Sequence, residues 1–314
     1  MQTKEYPDSL KSPRGEFDTI VVGVDGSERN QAAVAWACHE ADEMKKELVL
    51  VAGNDGLPMP LPMPRFSADY TIDYSEDQTR QMLNRVRSRL EADAPGRTAT
   101  IVVESGKPAD IILGATEKAD LVVVGKRGLG AVKRVLVGST SIAVAGRSRV
   151  PVVVVPDQWV QASRATSPIV VGVDTESRDE DVLEFAFRRA RELSVPLIAV
   201  HAWQIPQLYT WSPEDIARWK DLASKDLDAK LKPVADRHAE VEVVRLPQQG
   251  NPAMALLDAG EIAQLVVLGR HTGPAHPGGF AFASTARGVL HYSTCPVVVV
   301  PQHQADAEPD EKQR

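Results

Sequence analysis

Two cysteines, Cys38 and Cys295, are all that 314 residues contain. Two lone thiols without metal-ligand spacing make no disulfide framework, so a reducing cytoplasm is the expected compartment. An excess of positive charge is also lacking. The formal net charge is −7, which argues against a general binder of nucleic acid or of anionic membranes. Apolar runs are short, far below the length that spans a bilayer. The opening stretch MQTKEYPDSLKSPRGEF is polar and mixed in charge, and it has no apolar centre of the kind a secretory signal needs. Two nucleotide motifs are missing as well. There is no G-x-x-x-x-G-K-[ST], which excludes a P-loop NTPase, and no G-x-G-x-x-G after the first strand, where the dinucleotide fingerprint belongs. What is present is the make-up of a soluble globular protein able to bury a core: 43% apolar and 25% charged residues, in a chain long enough for two ordinary domains.

Those two domains are copies of each other. IVVGVDGS (20–27) returns as IVVGVDTE (169–176), and GKPADIIL (106–113) as GNPAMALL (250–257). ADLVVVGKR (119–127) returns as AQLVVLGR (263–270), and VPVVVVP (150–156) as CPVVVVP (295–301). Asp25 and Asp174 lie 149 positions apart, and Pro156 and Pro301 lie 145 apart, so the offset barely drifts and the order never changes. The expected organisation is a tail over 1–16, a first domain over 17–156, a polar linker over 157–168, a second domain over 169–301 and a charged tail over 302–314.

Within the first copy, strands are expected at 18–24, 47–52, 99–103, 120–125 and 151–155, with helices at 27–44, 75–92, 107–118 and 139–147. Ser75 and Gln78 suggest a capping box, followed by one apolar face of Met82, Leu83, Val86 and Leu90. All-apolar runs such as LVVVG (121–125) suggest strands buried on both faces. Alternation of such strands with helices predicts α/β architecture: two tandem open parallel sheets with helices on both faces.

Open α/β sheets bind ligands beyond the carboxyl ends of their strands, where chain order reverses. Gly125 stands at such an end. It opens the stretch GKRGLGAVKRVLVGSTS (125–141), a long connection before the helix expected at Ser139. Glycines permit close backbone approach, and GSTS (138–141) offers hydroxyls and free amides at a helix start, a favourable place for phosphate. Lys126, Arg127, Lys133 and Arg134 are candidate countercharges. Ordinary roles compete: Gly-rich turns and Ser/Thr caps are common, and Asp25 in the first turn serves equally as a pocket residue or a helix cap.

Gly125-x2-Gly128-x9-Gly138-Ser139, with the flanking blocks quoted above, resembles the nucleotide-binding pattern of the universal stress protein family across residues 17–301. The resemblance implies Rossmann-like sheets of five parallel strands and, in the ATP-binding branch, bound ATP, with Mg2+ bridging phosphates. It also implies association through the last strand of each domain, as in a homodimer. It places adenosine near Asp25, Ala52 and Gly53, the base and ribose beside Val124 and Gly125, and the phosphates against Gly128, Gly138, Ser139 and Thr140, with Ser141 close by. The implied function is a nucleotide-dependent regulator of the stress response without an enzymatic role. A slow ATPase, self-phosphorylation at Ser139 or Ser141, and a dimeric scaffold with a vestigial pocket are the alternatives; no glutamate or histidine lies in 125–141 to act as a base.

The second copy departs from the pattern. Its candidates are Asp174, Gly269, Arg270, Gly273 and Ser284. However, Gly269 and Gly273 are spaced by three residues rather than two, Ala283 replaces the third glycine, and Ala286 replaces the serine at 141. Weaker ATP binding, or none, is expected there, with a retained site of rearranged loop geometry as the alternative. Cys38 is expected to be a small buried residue. Trp203, Tyr209, Trp211 and Trp219 are expected to form either a binding lip or a local cluster, and the Pro-rich stretch 57–66 a surface loop, with a cover over the adenine side of the pocket or a partner contact as its alternative.

Overall fold

The computed structural model describes residues 18–54, 68–94, 96–128, 137–160, 163–177, 179–205, 211–270 and 284–302, leaving aside the side chains of residues 54 and 68–75. These residues fall into two compact units. One carries the first copy together with Leu290–Val298, and the other begins at Thr166.

In the first copy the chain runs β1 (Thr19–Gly23), α1 (Gln31–Met44), β2 (Glu47–Asn54), α2 (Ala68–Asp93), β3 (Ala99–Ser105), α3 (Pro108–Ala115), β4 (Leu121–Gly125), α4 (Ser139–Arg147) and β5 (Val152–Val155). The strand order is β3-β2-β1-β4-β5. Every neighbouring pair is parallel, with Val21 opposite Val49 and Val122, and Val123 opposite Val153. β1, β4 and β5 are buried along their whole length, as strands covered on both faces must be. Order reverses between β1 and β4, which puts the crevice above Gly23 and Gly125.

The second copy repeats this with β6 (Ile169–Gly172), α5 (Glu180–Leu193), β7 (Leu197–Trp203), α6 (Pro213–Ala235), β8 (Val243–Gln249), α7 (Pro252–Gly260), β9 (Leu265–Arg270), α8 (Ser284–Tyr292) and β10 (Val297–Pro301). β6 lies between β7 and β9, parallel to both, β8 forms the far edge and β10 flanks β9. Its reversal point therefore lies between β6 and β9.

Local chemistry explains the ends of the helices. Lys45 and Ser194 adopt left-handed backbone, φ 53° in both, and stop α1 and α5 at equivalent places. Pro108 and Pro252 sit in the first turns of α3 and α7, where a missing N–H costs nothing. Ser212 and Asp215 form a reciprocal capping box on α6. The box expected at Ser75 is not the start of its helix. α2 begins at Ala68, because 68–74 contains no glycine or proline to break it. Ser75 is therefore an interior residue. Leu83 and Leu90 do face the core. Cys38 is buried, and burial pushes its thiol up to about 11. Trp203 is buried, Trp211 and Trp219 meet edge to face at 6.3 Å, and Tyr209 and the stretch 57–66 lie outside the described residues.

Candidate functional site

The turn after β1 is built around Asp25. Its Oδ1 accepts from the amide of Ser27 at 2.9 Å and from the Ser27 hydroxyl at 2.8 Å. Ser27, not Asp25, then caps the short 3-10 turn Glu28–Asn30 by accepting from the Asn30 amide. With Oδ1 anchored, Oδ2 lies against Gly128: a Cβ on Gly128 would stand 2.4 Å from it. Two candidates 103 positions apart thus meet, and the meeting explains why residue 128 lacks a side chain.

Behind this contact the strand ends are locked together. Asn30 is buried and donates from Nδ2 to the carbonyl of Gly23 at 3.0 Å. A Cβ on Gly125 would lie 3.3 Å from the same Nδ2. Ala52 and Val124 are buried sheet residues, so they border the crevice mainly through backbone. Gly53 has a packing reason of its own, since a Cβ there would come within 2.6 Å of Pro108 Cα on α3.

The base of the glycine-rich connection is pinned at three points. The Lys126 amide donates to Val155 O at 2.7 Å, the Gly138 amide donates to Lys126 O at 2.8 Å, and Ser141 Oγ donates to Gly125 O at 2.6 Å. Residues 129–136, including Lys133 and Arg134, lie outside the described residues. Gly138 is the N-cap of α4 and supplies no side-chain cap, and no acidic residue occupies the first turn. The helix's own bonding starts at the Ile142 amide, which donates to Gly138 O. The amides of Ser139, Thr140 and Ser141 therefore open the helix at the positive end of its dipole.

Three of the expected ligands have their side chains partnered within the protein. Ser141 is 5% exposed and its hydroxyl is spent on Gly125, so it serves the loop's anchorage. Arg127 Nε forms an ion pair with Asp157 Oδ2 at 2.9 Å. Lys126 Nζ donates to the carbonyl of Ser293 at 2.9 Å, a residue that groups with the same compact unit. Burial, reinforced by the charge of Arg127, pulls the Lys126 ammonium down to about 8. The two described basic residues of the stretch are thus engaged elsewhere, while the start of α4 has no side-chain cap and no acid in its first turn. Asn30 and Asp157 were missed by sequence reasoning. Asn30 has the look of an ordinary cap residue, and Asp157 that of a linker residue.

In the second copy Asp174 Oδ1 accepts from the Glu176 amide at 3.0 Å, reproducing the first turn. Arg270 ends β9, where burial lowers its guanidinium below the usual range. Ser284 opens α8 and is exposed, and Ala286 is buried without the hydroxyl that anchors Gly125 in the first copy. Gly273 and Ala283 lie outside the described residues. Asp179, just before α5, is buried; it accepts from the Asp174 amide at 3.1 Å and from the Gln302 side chain.

Two open α/β units with this turn and helix start define a tandem protein whose crevices lie at the strand-order reversals. Comparison with known proteins gives the family: the universal stress protein profile matches residues 16–156 and again 166–301, and the chain belongs to that family. A universal stress protein of Mycobacterium tuberculosis (strain ATCC 25618 / H37Rv) is 31% identical over 310 residues, covering 91% of this chain and 96% of the relative. A second from the same strain is 32% identical over 304 residues, covering 93% and 100%. The crystal structure of a universal stress protein from Archaeoglobus fulgidus DSM 4304 has the same fold, with a TM-score of 0.68 at 21% identity over 90% of this chain and 98% of that one.

Proposed function

We propose that the first copy binds ATP and that occupancy of its crevice regulates assembly or partner contacts, without metabolic turnover. The observation that carries this reading is the open start of α4. A helix beginning Gly-Ser-Thr-Ser, with no side-chain cap and no acid in its first turn, leaves three amides suited to phosphate oxygens. The tight Asp25–Gly128 approach supports a shaped ribose side, with Ala52, Gly53, Val124 and Gly125 bordering the nucleoside. Gly128, Gly138, Ser139 and Thr140 would hold the phosphates. Since Lys126 and Arg127 are engaged elsewhere, a divalent ion such as Mg2+ would balance triphosphate charge, held mainly by phosphate oxygens and water.

Self-phosphorylation at Ser141 is disfavoured by its burial and its bond to Gly125. The test is mass spectrometry of small molecules released from the purified, denatured protein, followed by calorimetry with ATP and Mg2+ on the wild type and on Gly138→Ala with Ser139→Ala. The expected result is adenine nucleotide release and weakened binding in the variant. Equal ATP retention by both proteins would refute the reading and favour a scaffold. Phosphate release at a metabolically useful rate would refute the non-enzymatic part.

A further inference from the structure

Asn30 and Asp179 occupy one place in the two copies. Each is the last residue before the helix that follows the first strand of its unit. They lie 149 positions apart, the same offset as Asp25 and Asp174. Both are buried, at 5% and 1% exposure. Both lie under the glycine in the fourth strand: a Cβ on Gly125 would be 3.3 Å from Asn30 Nδ2, and one on Gly269 would be 3.5 Å from Asp179 Oδ1.

Their chemistry differs. Asn30 is neutral and spends a donor on Gly23 O. Asp179 accepts through both oxygens, as an ionised carboxylate does, from the Asp174 amide and the Gln302 side-chain amide. Both donors are neutral, and among the described residues no ion pair reaches Asp179. In the first copy the deep carboxylate is Asp157, its side chain 9% exposed, and it is matched by Arg127. The position equivalent to Asp157 in the second copy is Gln302, again by the 145 offset. One acid and one amide have exchanged places, and only the first copy's acid carries a cationic partner. The other charges at these strand ends are Asp25 and half-buried Lys126 in the first copy, and Asp174 and half-buried Arg270 in the second.

We propose that this position selects ligand charge. The neutral amide at 30 admits a polyphosphate, whereas the buried carboxylate at 179 biases the second crevice against one. A charge held away from water is screened weakly and acts over several ångströms on a polyanion, while leaving an uncharged nucleoside nearly unaffected. The inference rests on the ATP reading of the first copy.

Calorimetry on the full chain with Mg2+-ATP and with adenosine tests it, using Asn30→Asp. The expected result is a loss in ATP affinity of about tenfold or more, adenosine affinity within about twofold of wild type, and an ATP deficit that shrinks as salt is raised. Equal losses for both ligands, or an unchanged ATP affinity, would overturn the inference. If Asn30→Asp fails to fold by circular dichroism, Asp179→Asn in a Gly128→Ala background decides. A rise in ATP affinity of about fivefold supports charge selection, and no rise refutes it. A wild-type chain that binds adenosine but not ATP, or neither, overturns the ATP reading first and this inference with it.

Discussion

Replacing Gly128 by alanine tests the nucleoside end of the crevice. The new Cβ would stand 2.4 Å from Asp25 Oδ2, and relief requires a movement of at least 0.6 Å to reach the 3.0 Å that real contacts respect. The end of an aspartate side chain usually swings aside cheaply. This one is held, because its other oxygen accepts two hydrogen bonds from Ser27, at 2.9 and 2.8 Å. Bonds to a charged group contribute about 1.5–3 kcal/mol each, so losing the equivalent of one costs about 1.5–3 kcal/mol. If nucleotide binding needs Asp25 where it stands, ATP affinity falls about tenfold to a hundredfold. The strands beneath are unaffected, so the unit stays folded and the melting temperature falls only by the several degrees that one lost bond costs. Calorimetry on a double-mutant cycle with Asp25→Ala isolates the cause. Once the carboxylate is gone the added methyl has nothing to strike, and the coupling energy is expected to be about 1–2 kcal/mol. Additive losses in the cycle would refute this account of Gly128.

Other substitutions follow from the same geometry. Ser141→Ala removes the buried bond to Gly125 O and is expected to destabilise the first unit by about 1–2 kcal/mol in urea unfolding; the equivalent Ala286→Ser gives a smaller change of either sign. Lys126→Met should leave ATP affinity within about threefold, since the ammonium is directed at Ser293. The same variant carries a pH signature. Burial lowers the Lys126 pKa from an ordinary 10.5 to about 8, so the charged lysine opposes folding below about 8 and that opposition fades as pH rises toward 10.5. The methionine variant should therefore melt higher at pH 7, with the advantage narrowing by pH 10. Glu184 behaves in the opposite sense. Burial raises its pKa, but bonds from His238 and Arg237 outweigh that and hold the carboxyl below the usual range. Its contribution is full above the unfolded pKa near 4.5 and is lost as pH falls through the folded value. Glu184→Gln should lower the melting temperature at pH 7 and make no difference in strong acid.

The valine-rich strands were legible because burial on both faces leaves no room for polar residues, so β1, β4 and β5 stand within a residue or two of their expected bounds. The helix at 68–93 begins seven residues, about two turns, before the expected start, since Ser75–Gln78 has the composition of a cap without the chain break a cap requires. The glycines of the candidate site were legible by spacing. Their reasons were not: Gly128 answers to Asp25, Gly125 to Asn30 and Gly53 to Pro108, contacts that chain order does not announce. Charge was the least readable feature. Lys126 and Arg127 sit where countercharge belongs, yet their partners, Ser293 and Asp157, lie 167 and 30 positions away. A run of basic residues states how many charges exist and not where each one is neutralised.

The bond from the Gly138 amide to Lys126 O makes the chain leave the sheet and return through one doorway. What happens between those two posts can lengthen, shorten or change composition with a closure cost that grows only logarithmically, and neither β4 nor α4 need shift. The second copy, with one more residue between Gly269 and Ser284 than separates Gly125 from Ser139, already exploits this latitude. A duplicated scaffold with such a hinge point can diverge in what it recognises while its sheets stay the same.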